Sequence, residues 1–228
     1  MHIFKKNEVY LEIKNLEENQ KKELLDFFTF EVPNAKFMPT VRNRMWDGKI
    51  RLFSPATGQI YVGLLPYIKQ FCDNTGIKYT IEKGIENERN VAREVVRGFV
   101  KSLKPKTKGK SLKIRDFQID AIQHAISKNR AVLVAPTASG KSFIIYILVR
   151  YYQMSQLKTL ILVPTTSLVE QMYTDFKSYG WDVKKNCDKL YSGYSNITDK
   201  KVLISTWQSL YRLKTDYFQQ FGIVFGDE

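Results

Sequence analysis

The sequence predicts an α/β chain in which a parallel sheet is wound on both faces by helices and preceded by a small α+β domain. Three observations predict it. From residue 113 onward, short apolar runs alternate with helical patterns, as at 159–163 (TLILV), 201–205 (KVLIS) and 221–225. Continuous rather than alternating apolar runs belong to strands buried on both faces. The runs at 159–163 and 201–205 lead through small and polar residues into the next helix, which puts loops at strand C-termini, where such sheets bind ligands. The first hundred residues lack this rhythm and hold charged/apolar alternation broken by tight turns.

Taken in order, 8–13 alternates as a strand, and 17–30 reads as a helix with Leu24, Leu25, Phe27 and Phe28 on its apolar side. The segment 37–53 (FMPTVRNRMWDGKIRLF) comes next. Asp47-Gly48 marks a tight turn, after which Lys49 and Arg51 share one strand face while Ile50 and Leu52 turn inward. Thr57-Gly58 marks a second turn before a strand at 60–62, a helix at 64–74, a strand at 78–82 and a helix at about 87–103. The result is a small basic α+β domain over 1–103. Its cations Lys36, Arg42, Arg44, Lys49 and Arg51 surround Trp46, a residue expected to serve packing. Basic groups interleaved with aromatics bind phosphates and stack on bases, so the cluster is expected to dock nucleic acid. Residues 104–112, lysine-rich and with little to bury, read as a solvated linker and the domain boundary.

The segment 131–142 (AVLVAPTASGKS) organises the second domain, 113–228. A strand at 131–134, a turn of small residues and an apolar helical pattern at 143–152 form the setting of a phosphate-binding loop. Backbone N–H groups of Pro136 to Ser142, less proline's, converge on an anion beside a helix N-terminus. Pro136, Thr137, Ala138, Ser139 and Gly140 form this cradle. Lys141 reaches the β- and γ-phosphates, and Ser142 offers its hydroxyl to Mg²⁺. The loop opens with Ala135 where glycine is usual. After two further strands, 221–225 ends in Gly226-Asp227-Glu228. Asp227 is placed to hold Mg²⁺ through water and Glu228 to polarise an attacking water, so Lys141, Asp227 and Glu228 are the expected catalytic set, with a nucleoside triphosphate and Mg²⁺ as cofactors.

Composition narrows the partners. The 228 residues carry 36 Lys and Arg against 23 Asp and Glu, a formal charge of +13. That bias favours a polyanion, most commonly nucleic acid. The first 110 residues hold 21 of the basic and 13 of the acidic residues, so they are the more basic part. Two cysteines and two histidines (His2, His124) build neither a disulfide framework nor a histidine metal cluster, and a reducing, cytoplasmic setting fits. No apolar run nears the ~20 residues that span a bilayer.

Together these segments resemble the first motor domain of superfamily 2 helicases and translocases. IRDFQ is similar to that family's Q motif, APTASGKS to motif I, VPTTSLVEQ to motif Ia, STWQSL to motif Ib and FGDE to the start of motif II. The resemblance implies a RecA-like domain in which Arg115 lies along the adenine and Gln118 bonds its edge, while Thr165, Thr166 and Thr206 run along the nucleic-acid strand. The run WDGKIRL and the helix after it narrow the likeness to recombination and repair helicases of large tailed bacteriophages. That likeness implies an ATP-driven enzyme that unwinds or remodels branched DNA (forks, D-loops, R-loops, Holliday junctions), acting as a monomer in the host cytoplasm. The sequence ends at Glu228, inside motif II, so a second motor domain is expected to complete the ATP site and the chain alone to turn over ATP poorly. An RNA helicase, a translocase that does not unwind, and a binding module with a nucleotide-switch fold remain open as alternatives.

Overall fold

The computed structural model describes residues 1–85, 89–107, 109–191 and 199–227. Its contacts divide the chain into two units, Met1–Asn87 and Glu88–Glu228.

The first unit runs β1 (His2–Lys5), β2 (Tyr10–Lys14), α1 (Glu18–Phe27), β3 (Thr29–Glu31), α2 (Pro39–Arg42), β4 (Lys49–Arg51), β5 (Phe53–Ser54), β6 (Gln59–Tyr61), α3 (Leu65–Thr75) and β7 (Thr80–Ile81). One sheet has the order β5-β6-β2-β1-β7, and β3 with β4 makes a separate antiparallel ribbon. The β1–β7 pair is parallel and the other pairs of the sheet are antiparallel. Ile3, Leu11 and Ile13 from the sheet meet Leu24 and Phe28 at α1 and Ile68 and Phe71 of α3 in one buried core.

The helix expected to reach residue 30 stops at Phe27. The Thr29 hydroxyl donates to the Leu25 carbonyl at 2.6 Å, and residues 29–31 pair with β4 instead. Strand pairing of two good β-formers, Thr29 and Phe30, overrides the helical periodicity. The turn before β4 is made by Gly48 at φ +77°, where an added Cβ would lie 2.9 Å from that of Ala35.

The second unit runs α4 (Arg93–Leu103), β8 (Lys106–Thr107), β9 (Lys110–Ser111), α5 (Asp116–Lys128), α6 (Lys141–Gln153), β10 (Lys158–Val163), α7 (Thr166–Ser178), α8 (Val183–Asn186), β11 (Cys187–Leu190), β12 (Val202–Thr206), α9 (Trp207–Leu210), α10 (Thr215–Phe218) and β13 (Phe221–Gly226). Four parallel strands in the order β11-β12-β10-β13 form its sheet. This is the expected doubly wound, RecA-like arrangement after an α+β unit. Phe143 to Val149 of α6 are buried without a break, as an apolar helix with no solvent face must be.

The unit boundary falls earlier than the lysine-rich segment. Helix α4 packs on α5: Val96 and Val100 enter the second core, Arg93 pairs with Asp120 and Arg97 with Asp116, each at 2.9 Å. Residues around 104–112 are not a free linker either. β8 and β9 form a small hairpin, tied down where the Lys106 N–H donates to the Tyr179 carbonyl at 3.3 Å.

The strand expected at 131–134 is absent. Val132 and Val134 are 89% and 96% exposed, and the segment joins no sheet among the described residues. A strand exists only with a ladder partner and covered faces. Among the described residues, β13 is the edge strand next to β10 and pairs with nothing on its other side. No helix of the described residues is long and apolar enough to cross a membrane.

Candidate nucleotide site

Parallel register aligns the ends of the strands. Val163 of β10 lies opposite Thr206 of β12, and Leu162 lies opposite Gly226 of β13. The Asp227 N–H extends that ladder by donating to the Leu162 carbonyl at 2.9 Å. Pro164 to Thr166, Trp207 and Asp227 therefore emerge along one carboxyl edge of the sheet, where such folds bind ligands.

The 135–142 loop is shaped by two left-handed residues, Ala138 at φ 63° and Gly140 at φ 85°. Gly140 is required twice. Its φ disfavours a side chain, and an added Cβ would sit 2.6 Å from Gln118 Nε2. That amide is the loop's anchor. Gln118, buried in the first turn of α5, donates from Nε2 to the Ser139 carbonyl at 2.9 Å and accepts from the Arg115 N–H through Oε1 at 3.0 Å. The glutamine expected to read adenine is thus tied to the phosphate loop. Arg115 is exposed, its guanidinium 6.0 Å from the centre of the Phe117 ring.

Lys141 opens α6 and bends back, Nζ donating to the Ala135 carbonyl at 3.5 Å. It also acts on Asp227: burial pushes that carboxyl above the ordinary carboxylate range, and the nearby Lys141 charge opposes the shift. Ser142 Oγ lies 3.0 Å from the Tyr179 hydroxyl. Buried Ser139 Oγ has no hydrogen-bond partner among the described residues. An unpaired buried hydroxyl in a glycine-dependent cradle, with an ammonium and a carboxylate at its mouth, fits a phosphate chain and its Mg²⁺. Ser142 and Asp227 are the residues that would hold that ion. Among the described residues no group of three His, Cys, Asp or Glu could hold a metal by itself. Glu228 lies outside the described residues.

The residues expected along a nucleic-acid strand divide. Thr165 caps α7, accepting from the Leu168 N–H at 3.3 Å, and both Thr165 and Thr166 face solvent. Thr206 does not fit its expected role. It is 4% exposed, and its hydroxyl is held by Ser209 at 2.8 Å, because it ends a central strand. The open surface beside it is aromatic: Trp207 and Tyr211 are exposed with ring centres 6.3 Å apart, and Arg212 lies over Tyr211 at 5.4 Å. The surface offered at this strand end is thus Trp207, the exposed neighbour of the expected Thr206. Nothing in the sequence marked Tyr179, which lies 37 positions from its partner Ser142.

In the first unit, Lys36, Arg42 and Arg44 are exposed, and none forms an ion pair among the described residues. Lys49 and Arg51 are engaged. Lys49 pairs with Glu31, its cross-strand partner in the β3–β4 ribbon, at 3.4 Å, and Arg51 pairs with Asp47. Opposite charges facing each other across a ribbon attract, and the Asp47 carboxylate of the preceding turn does the same for Arg51, so these two cations are partly neutralised within the fold. Ile50, expected to turn inward, is exposed, because the two-stranded ribbon has no layer covering that face. Trp46 is half-buried, with its indole N–H donating to the Lys49 carbonyl at 2.9 Å.

The chain resembles known proteins in both of its units. The family model described as "Type III restriction enzyme, res subunit" matches residues 111–228, and "DNA helicase UvsW, N-terminal" matches residues 3–82. The chain is 35% identical over 217 residues to the ATP-dependent DNA helicase uvsW of Enterobacteria phage T4, covering 93% of this chain and 43% of that protein. It is 25% identical over 151 residues to the DNA 3'-5' translocase XPB2 of Sulfurisphaera tokodaii, covering 66% of this chain and 31% of that one. A crystal structure of T4 UvsW superposes with a TM-score of 0.89 at 32% identity, covering all of this chain and 47% of the other. A second crystal structure of the bacteriophage T4 UvsW helicase gives 0.88 at 32% identity and is covered to 82%. The chain spans less than half the length of the curated relatives it matches. It belongs to the family that the type III restriction enzyme res-subunit model describes, as a UvsW-like member of the superfamily 2 helicases.

Proposed function

We propose that this chain supplies the nucleotide-binding half and a DNA-docking unit of an ATP-driven DNA helicase that unwinds or remodels branched DNA. The observation that carries the reading is the convergence of Gln118, the 135–142 loop and Asp227 at the carboxyl edge of the parallel sheet. The backbone of residues 136–142 cradles the phosphates, with Lys141 turning from the Ala135 carbonyl toward the β- and γ-oxygens. Ser142 and Asp227 would hold Mg²⁺, which would supply positive charge against the phosphates. Glu228, next along the chain from Asp227, is proposed to polarise the attacking water. The printed names of the T4 and Sulfurisphaera relatives, an ATP-dependent DNA helicase and a DNA translocase, support DNA as the partner. Arg42, Arg44 and Lys36 in the first unit, with Thr165, Thr166 and Trp207 in the second, are the proposed contacts.

Labelled forked DNA titrated with the protein, with and without ATP and Mg²⁺, tests this reading. Coupled sites change one another's affinity by about fivefold or more. ATP is expected to shift fork affinity on that scale, and Lys141→Ala to erase the shift while leaving nucleotide-free fork binding intact. Fork affinity indifferent to ATP would favour a passive nucleic-acid-binding module instead.

A further inference from the structure

The arm of the first unit between α1 and β5 carries more exposed apolar surface than phosphate binding can use. Phe37 is 68% and Met45 78% exposed. Val41, Arg44, Met45, Trp46 and Asp47 line an open hollow of about 450 Å³. Trp46 is fixed in its wall by the bond to the Lys49 carbonyl, so the indole N–H needs no outside partner. The cations around it are Arg42 and Arg44, without ion pairs among the described residues, and Lys36, whose Nζ stands 5.1 Å from the centre of the Phe37 ring. Arg44 holds a left-handed backbone, φ 56°, uncommon for a residue with a side chain.

A duplex presents phosphates to such a surface and keeps its base faces stacked out of reach, so cations alone would serve it. A single strand presents phosphates and unstacked base faces together, and aromatic or apolar side chains beside cations are the chemistry that holds both. An acidic peptide would satisfy the charges but has no flat apolar face for Phe37 and Met45.

We propose that this arm binds unpaired DNA, with a base lodged in the Val41–Trp46 hollow, Phe37 and Met45 against base faces, and Arg42 and Arg44 on the neighbouring phosphates. The proposal rests on the DNA-motor reading above and adds to it which part of a branched substrate the first unit takes: the single strand, not the duplex arm.

Anisotropy titrations of the full chain with a labelled thymidine oligomer, the same oligomer carrying abasic sites, and a blunt duplex test it. Stacking on one base changes affinity by about tenfold. The thymidine oligomer is expected to bind about tenfold tighter than the abasic one. Phe37→Ala with Met45→Ala should collapse that ratio, and Phe37→Tyr with Met45 intact should keep it. Arg44→Ala should weaken both oligomers alike and flatten the salt dependence by about 0.7 in log–log slope. Both Phe37 and Met45 are exposed, so their replacement leaves the fold in place, checked by an unchanged melting temperature. Equal affinity for base-bearing and abasic oligomers, tighter binding of the duplex, or a ratio untouched by the double substitution would overturn the proposal while leaving the DNA-motor reading standing. Failure to bind any of the three DNAs would overturn both.

Discussion

Gln118 Nε2 donates a hydrogen bond to the Ser139 carbonyl oxygen at 2.9 Å, joining the first turn of α5 to the crown of the phosphate loop. The same amide receives the Arg115 N–H, so one buried side chain fixes both the helix start and the loop shape. Gln118→Ala leaves a buried carbonyl and an N–H short of a partner, each worth about 1–3 kcal/mol. The variant should unfold at lower urea and bind nucleotide more weakly. A urea midpoint matching wild type would show that the loop holds its shape without the anchor.

Gly140→Ala should be worse for the loop than for the rest of the fold. Its φ of +85° and a Cβ 2.6 Å from Gln118 Nε2 force either backbone strain or loss of the anchor bond. Strain of this kind costs about 1–3 kcal/mol. Gly63→Ala is the control, since nothing lies within 4 Å of its Cβ. Urea denaturation of the two variants should separate them by that amount, with nucleotide affinity lost only at position 140.

Much of this was legible in the sequence because it is local. The loop 135–142, the apolar strands β10, β12 and β13, and the turns at Gly48 and Gly58 arise from residue type and spacing over a few positions. What escaped reading depends on distant partners. The run 131–134 has strand composition but no ladder neighbour among the described residues, and α4 joins the second core through Val96 and Val100 rather than the first. Thr206 looked like a surface contact because motif order says nothing about depth. Lys49 and Arg51 looked like free cations because their carboxylate partners come from a strand pairing and a turn that charge counts do not show.

Tyr179→Phe keeps the aromatic packing with Phe143 and Tyr146 and removes only the hydroxyl that meets Ser142 Oγ at 3.0 Å. A ligating hydroxyl needs an acceptor for its own proton, and loss of such outer partners typically weakens metal sites about tenfold. Nucleotide affinity measured in Mg²⁺ should therefore fall about tenfold, while affinity in EDTA stays unchanged. An equal loss in both buffers would mean that Tyr179 acts on the fold and not on the ion.

Glu170 ties α7 to β11 through Lys189 Nζ at 2.7 Å and the Tyr191 hydroxyl. The bond from Lys189, and then that from Tyr191, hold its carboxyl below its ordinary pKa of 4.5. A lowered folded-state pKa gives stability that is present above the unfolded value and lost as pH falls through the folded one. Glu170→Gln should thus be less stable than wild type at neutral pH, and the gap in urea midpoint should close as pH drops below 4.5. A gap that persists in acid would assign the effect to packing rather than charge.

The central claim is that the 135–142 loop, with Lys141 at its end, binds the terminal phosphates of a nucleoside triphosphate. The direct measurement is calorimetric titration of the chain with ATP and with AMP in Mg²⁺, repeated on Lys141→Ala. Charge-assisted contacts of this kind contribute about 1.5–3 kcal/mol, roughly tenfold or more in affinity. ATP should bind at least that much tighter than AMP, and Lys141→Ala should erase the difference while AMP affinity holds. Equal affinity for ATP and AMP, or a preference that survives loss of Lys141, would contradict it.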